Sequence, residues 1–148
     1  MKAFTLVVGL FSLLVAAATL FIASEQLSQA NITAKESNAL FAMTNVLDAF
    51  DRVKNHEINN IPLEEQVTEK KLIEYRNVVE SYLLRLYVAF RMHERHLVDE
   101  KIWAILFNSL CDLTESDRFA GELGHQERES ELAKKDPAFF NKLLACQR

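Results

Sequence analysis

Three glycines and two prolines in 148 residues leave this chain almost no means of turning sharply, so long helices are its natural solution. The same scarcity argues against β-sandwiches, barrels and Gly-rich phosphate loops. A single domain of all-α class is expected.

Within that helical frame the apolar residues are concentrated at one end. Residues 3 to 23 hold 17 apolar side chains in 21 positions, interrupted only by Thr5, Gly9, Ser12 and Thr19, and carry no charge. As a helix the run would be about 32 Å long, which matches a hydrocarbon core of about 30 Å. The expectation is a transmembrane signal anchor over residues 1–23, with the lipid bilayer as partner of residues 3–23. A secretory signal cleaved near Ala16 to Ala18 is the alternative, but it would leave the apolar stub Thr19 to Ile22 behind. Lys2 precedes the run, whereas Glu25 follows it and the next basic residue is Lys35. The positive-inside rule then puts the N-terminus in the cytoplasm and the remainder outside it.

Residues 24–38 are polar nearly all round and read as a stalk; residues 39–148 read as a small antiparallel helical bundle. Beyond Ala23 the chain has 16 Lys and Arg against 21 Asp and Glu, a net charge of −5. That balance gives no basis for nucleic-acid binding, which needs a basic patch. Asn31-Ile32-Thr33 matches a glycosylation triplet, but such triplets are common by chance and a solvated helix turn is the preferred reading.

Two apolar stripes at three- and four-residue steps define the principal helices. The first is Leu40, Met43, Leu47 and Phe50. The second is Leu72, Tyr75, Val79, Tyr82, Leu86 and Phe90, in a helix expected from Leu63 to about His93 with Pro62 near its first turn. Asp99 is expected to cap a third helix containing Trp103. A helix from Ser116 should stop at Gly121 or Gly124, leaving 125–130 as linker. Asp136-Pro137 should open a short last helix.

Candidate chemistry is sparse. His93 and His96, three apart with carboxylates nearby, form the nearest approach to a metal site, but their spacing is not that of His-Glu-x-x-His and no second ligand cluster stands elsewhere. No cofactor is expected. Cys111 and Cys146 are the only cysteines, and they can form a disulfide or remain a core thiol and a terminal thiol. No Gly-x-Ser-x-Gly elbow occurs, and pairs such as Glu64-Glu65 or Glu127-Glu129-Glu131 read as solvated surface.

The anchor, the run Arg76 to Leu86, and Leu97-Val98-Asp99-Glu100 leading into the Trp103 helix together resemble a broad uncharacterised bacterial family of short single-pass membrane proteins with a C-terminal helical domain. Members often have basic residues after the anchor, whereas this chain has Glu25. The resemblance implies an architecture and no reaction. Abundant helical apolar surface without catalytic residues leads to the expectation of a non-enzymatic, membrane-tethered interaction module, self-associating through the two stripes or serving as an accessory subunit of a membrane complex. The alternatives are a sensor binding a ligand between Trp103, Phe107, Tyr75, Tyr82 and Tyr87, and a metal-dependent enzyme centred on the two histidines.

Overall fold

A computed structural model of the chain describes the backbone of residues 2–61 and 65–147, and side chains of 15–61 and 65–146. Among the described residues all regular structure is helical: α1 (Lys2–Lys54), a 3-10 turn (Glu57–Asn60), α2 (Glu69–Glu94), α3 (Glu100–Thr114), α4 (Asp117–Glu129), α5 (Glu131–Lys135), α6 (Pro137–Leu144) and a closing 3-10 turn. The chain falls into two compact units, Met1–Ser37 and Asn38–Arg148.

In the first unit every described side chain, from Val15 to Ser37, is exposed. The hydroxyls of Thr19 and Thr33 donate back to the carbonyls of Val15 and Gln29, at 2.7 and 3.0 Å. Each is thereby satisfied inside its own helix. Among the described residues no helix is long and apolar enough to cross a membrane. The side chains of residues 3–14, more than half of the expected anchor, lie outside the described set.

The second unit is built around one core. Within α1 the buried positions are Ala42, Val46, Ala49 and Val53, at steps of four, three and four. The seam is thus rotated by one position from the stripe read in the sequence: Met43, Leu47 and Phe50 flank it, partly buried, and Leu40 is exposed. Two of the four seam residues are alanines, whose small side chains bury almost completely without marking a stripe in the sequence.

α2 begins at Glu69 with Thr68 as N-cap, later than Leu63, and its expected start at Pro62 to Glu64 lies outside the described residues. Its far end closes in a Schellman motif: Leu97 N donates to Met92 O at 2.9 Å and His96 N to His93 O at 2.8 Å. His96 adopts φ +59°, the left-handed region where a Cβ is unfavourable. His96→Gly is expected to raise stability by up to about 1 kcal/mol, read as a higher urea midpoint with unchanged slope.

The Asp99 carboxylate accepts from Ile102 N at 2.9 Å and the Asp136 carboxylate from Phe139 N at 3.2 Å, so both acidic caps form as their sequence idiom requires. The linker expected over 125–130 does not exist. α4 runs through Gly121 and Gly124 to Glu129 because Ser116 caps it and Phe119, Leu123 and Gln126 bury one face. Tertiary packing of that face outweighs the helix cost of two glycines, about 1 kcal/mol each.

Polar groups tie the helices where they converge. Asn59 Nδ2 donates to Val53 O at 2.5 Å, while its Oδ1 accepts from Tyr75 Oη at 2.9 Å and Ser116 Oγ at 3.5 Å. One amide therefore joins the ends of α1, the 3-10 turn, α2 and α4. Burial, and next the Glu122 charge, push the Tyr75 phenol up; burial does the same to Tyr82, whose sealed hydroxyl makes no hydrogen bond of normal geometry and has Ser109 as polar neighbour.

Above the ordinary phenol value of 10.0 the unfolded chain releases these protons while the folded one retains them. Stability is therefore expected to fall as pH rises past about 10, by up to about 1.4 kcal/mol per pH unit for each phenol. Urea midpoints between pH 9 and 11.5 would show this slope. Tyr82→Phe should remove its share and leave stability at pH 7 equal or higher, since no hydrogen bond is lost.

Candidate functional site

The residues singled out in the sequence are mostly absorbed by the core. His93 stacks on Trp103, with ring centroids 5.5 Å apart and planes 10° from parallel, and its Nε2 lies 3.3 Å from Glu100 Oε2. His96 has left the helix for the left-handed C-terminal position, so the two rings do not share a helix face as their spacing suggested. Among the described residues no group of three or more metal-ligating side chains is brought together.

The expected aromatic groove is filled. Trp103, Tyr75 and Tyr82 are buried, and Phe107 and Tyr87 pack against the core with partly open faces. Trp103 contacts Phe90 at 5.6 Å, and Phe90 meets Phe139 at 5.3 Å. These rings form a continuous packing chain.

The interaction stripes are likewise used within the chain. Tyr75, Val79, Tyr82, Leu86 and Phe90 are buried, while Met43, Leu47, Phe50 and Leu72 pack against the core as partly buried flanks. Only Leu40 of the proposed stripes faces solvent, at 68% exposure. Beside it Phe41 is also exposed and, together with Val88 of α2, borders a hollow of about 90 Å³ whose wall includes Asn45 and Arg85. Arg85 Nη1 spans the helices, donating to Asn45 O at 3.1 Å and to Asp48 Oδ2 at 3.0 Å. An apolar face with a polar fastening is thus left open on α1 and α2.

Cys111 of α3 and Cys146 after α6 are joined as a disulfide, their Cα atoms 4.9 Å apart. The carbonyl of Cys146 accepts from Thr114 Oγ1 at 3.4 Å. The C-terminal turn is therefore fastened to α3 by a covalent and a polar link.

A further concavity was not signalled by any local pattern. A groove of about 590 Å³ opens between α2 and the segment α4 to α6. Leu83 and Phe140, both buried, contribute to its lining together with Leu84, Tyr87 and Leu132. That is a volume and an apolar lining typical of small-molecule sites. Its charged residues are Glu80, Glu129, Glu131 and Lys135, all exposed. Lys134 holds Glu131 by a 2.9 Å contact whose hydrogen bond, and then charge, keep that carboxyl below its usual range.

One wall of the groove is backed by a buried polar network. Glu122, 6% exposed, accepts from Arg76 Nε at 3.2 Å through Oε2 and from Gln126 Nε2 at 3.2 Å through Oε1. Both carboxylate oxygens are thus satisfied, as a buried charge requires. The signal for this node was the polar residue at each end of a helical i,i+4 step on the buried face of α4, which the expectation of a linker concealed.

No known family model, curated protein or solved structure matches this chain.

Proposed function

We propose that this protein is a non-catalytic helical interaction module, tethered to a membrane by residues 3–23 and carrying its disulfide-bonded helical unit outside the cytoplasm on a polar stalk, residues 24–38. The observation that carries the reading is the exposure of the described part of the apolar run. Leu20 and Phe21 are 72% and 69% exposed, and Val15 and Ile22 more than half. Such a surface demands an apolar cover, and a bilayer supplies one on all sides of a single helix. The back-bonded hydroxyl of Thr19 suits that medium, because it brings no unsatisfied donor into it.

The Cys111–Cys146 bond favours an oxidising compartment, in agreement with the charge bias around the run. The open face at Leu40, Phe41 and Val88 supports association, with a second copy or with another subunit of a membrane complex.

Membrane fractionation tests the tether. The full chain is expected in the pellet after carbonate extraction and residues 24–148 in the supernatant; full chain released by carbonate would overturn it. Alkaline phosphatase fused after Arg148 is expected to be active, and an inactive fusion of normal abundance would reverse the orientation. Phe41→Glu is expected to convert a detergent-stable oligomer or complex to the free protomer. A wild-type chain that is monomeric and partnerless in mild detergent would remove the interaction reading.

A further inference from the structure

We propose that the groove between α2 and the α4–α6 segment binds a small organic ammonium compound, a primary amine carried on an apolar body. This site is independent of the tether and of the open face on α1.

The shape and chemistry of the floor select the body of the ligand. Leu83, Leu84, Leu132 and Phe140 offer apolar contact in a space of about 590 Å³, enough for an aryl or alkyl group of drug-fragment size. Tyr87 adds a ring face. Its ring is held edge-on against Phe139, centroids 5.2 Å apart at 65°, so it is positioned before any ligand arrives. A cation above a tyrosine face is attracted by the ring quadrupole.

The polar atoms select the head group. Gln126 is 8% exposed and lines the groove. Its amide nitrogen is committed to Glu122 Oε1 at 3.2 Å, and because a carboxylate only accepts, the orientation of the amide is determined by chemistry. The remaining Gln126 Oε1 accepts no hydrogen bond among the described residues, which leaves the lining residue with an acceptor to offer a ligand. Glu80 and Glu129 are two further acceptors at the rim, and neither enters an ion pair among the described residues. Against these the lining has the Lys135 ammonium and the His125 imidazole, while Lys134 engages Glu131 and its charge also bears on Glu129. Acceptors and negative charge dominate, and a ligand that donates several N–H bonds and bears positive charge complements them. An anionic or purely apolar ligand would leave the Gln126 oxygen and the carboxylates uncompensated.

Isothermal titration of the full chain in amphipol, with amphipol alone as the blank, tests the assignment with three isosteric probes: 4-phenylbutylammonium, 4-phenylbutanol and 4-phenylbutanoate. The ammonium is expected to bind about tenfold more tightly than the carboxylate at 20 mM salt, and the preference should shrink at 500 mM as the rim charges are screened. Replacing both rim carboxylates, Glu80→Gln with Glu129→Gln, should bring the ammonium down to the affinity of the alcohol while leaving the alcohol unchanged. These positions are exposed, so unaltered circular dichroism and urea midpoint are expected. Leu84→Lys should abolish binding of all three probes. Equal affinities for ammonium and carboxylate, no binding of any probe, or an ammonium affinity indifferent to the double substitution would each overturn the proposal.

Discussion

Phe139→Ala is expected to destabilise the helical unit by about 3 to 5 kcal/mol, the usual range for deleting a buried ring, and to do so without changing the tether. Phe139 has no exposed surface and touches three rings: Tyr87 at 5.2 Å, Phe90 at 5.3 Å and Phe140 at 5.7 Å. It belongs to α6, a helix of eight residues that has little stability apart from what it packs against. The Asp136 cap and Pro137 set the entry of α6, but capping supplies only about 1 kcal/mol. With Phe140 and Leu143 the ring forms the buried face by which α6 docks. Urea unfolding followed by far-ultraviolet circular dichroism would measure the loss, and a midpoint shift equivalent to less than about 1 kcal/mol would show that the surrounding rings close over the gap. Because Tyr87 and Phe140 line the groove, the same substitution should weaken groove ligands. Phe107→Ala, on a partly buried ring on α3, should not.

What could be read in advance and what could not separates along physical lines. Local rules worked where the determinant is local: the acidic residues at positions 99 and 136 cap helices because a short carboxylate meets the free N–H groups of the first turn, whatever the rest of the chain does. The α2 stripe was legible because large side chains mark their own burial. The α1 seam was not, because Ala42 and Ala49 make up half of it and small residues give little hydrophobic signal. Their burial is decided by what the rest of the unit packs against them. Similarly, Gly121 and Gly124 are poor helix residues whose cost is outweighed by the buried face of α4, a balance that no window around them contains.

The candidate sites divide in the same way. His93 and His96 looked like neighbours under helical spacing, yet a helix ends between them and the left-handed turn at His96 breaks the relation. The groove draws Glu80, Tyr87, Gln126, Leu132 and Phe140 from four helices, so its composition exists only after those helices have packed. Glu129 and Glu131 read as ordinary solvated surface, and they are exposed; their meaning comes from the apolar lining beneath them.

Breaking the Cys111–Cys146 bond is expected to cost about 3 to 4 kcal/mol, since the loop it closes spans 35 residues and an open loop of that length regains its chain entropy on unfolding. The loop contains α4, α5 and α6, so the bond restrains every element that forms the far wall of the groove. Thiol titration in guanidinium should find no free thiol before reduction and two after it; two titratable thiols in the untreated protein would refute the bond. Reduced protein, and Cys146→Ser, should unfold at a lower urea midpoint by nearly equal amounts. Cys111 lies on α3 and Cys146 just past α6, so the bond and Phe139 hold the same segment by different means. Their losses should not add. With the bond intact, α6 stays near its docking surface after Phe139→Ala and the unfolded chain remains restrained. Once reduced, the Phe139→Ala chain has neither ring nor tether, and the α6 segment should detach before the rest unfolds. Hydrogen exchange would then show early loss of protection over 137–144 while α2 remains protected. A single cooperative loss across both helices would mean that α6 is integral to the unit and that the disulfide merely limits the unfolded ensemble.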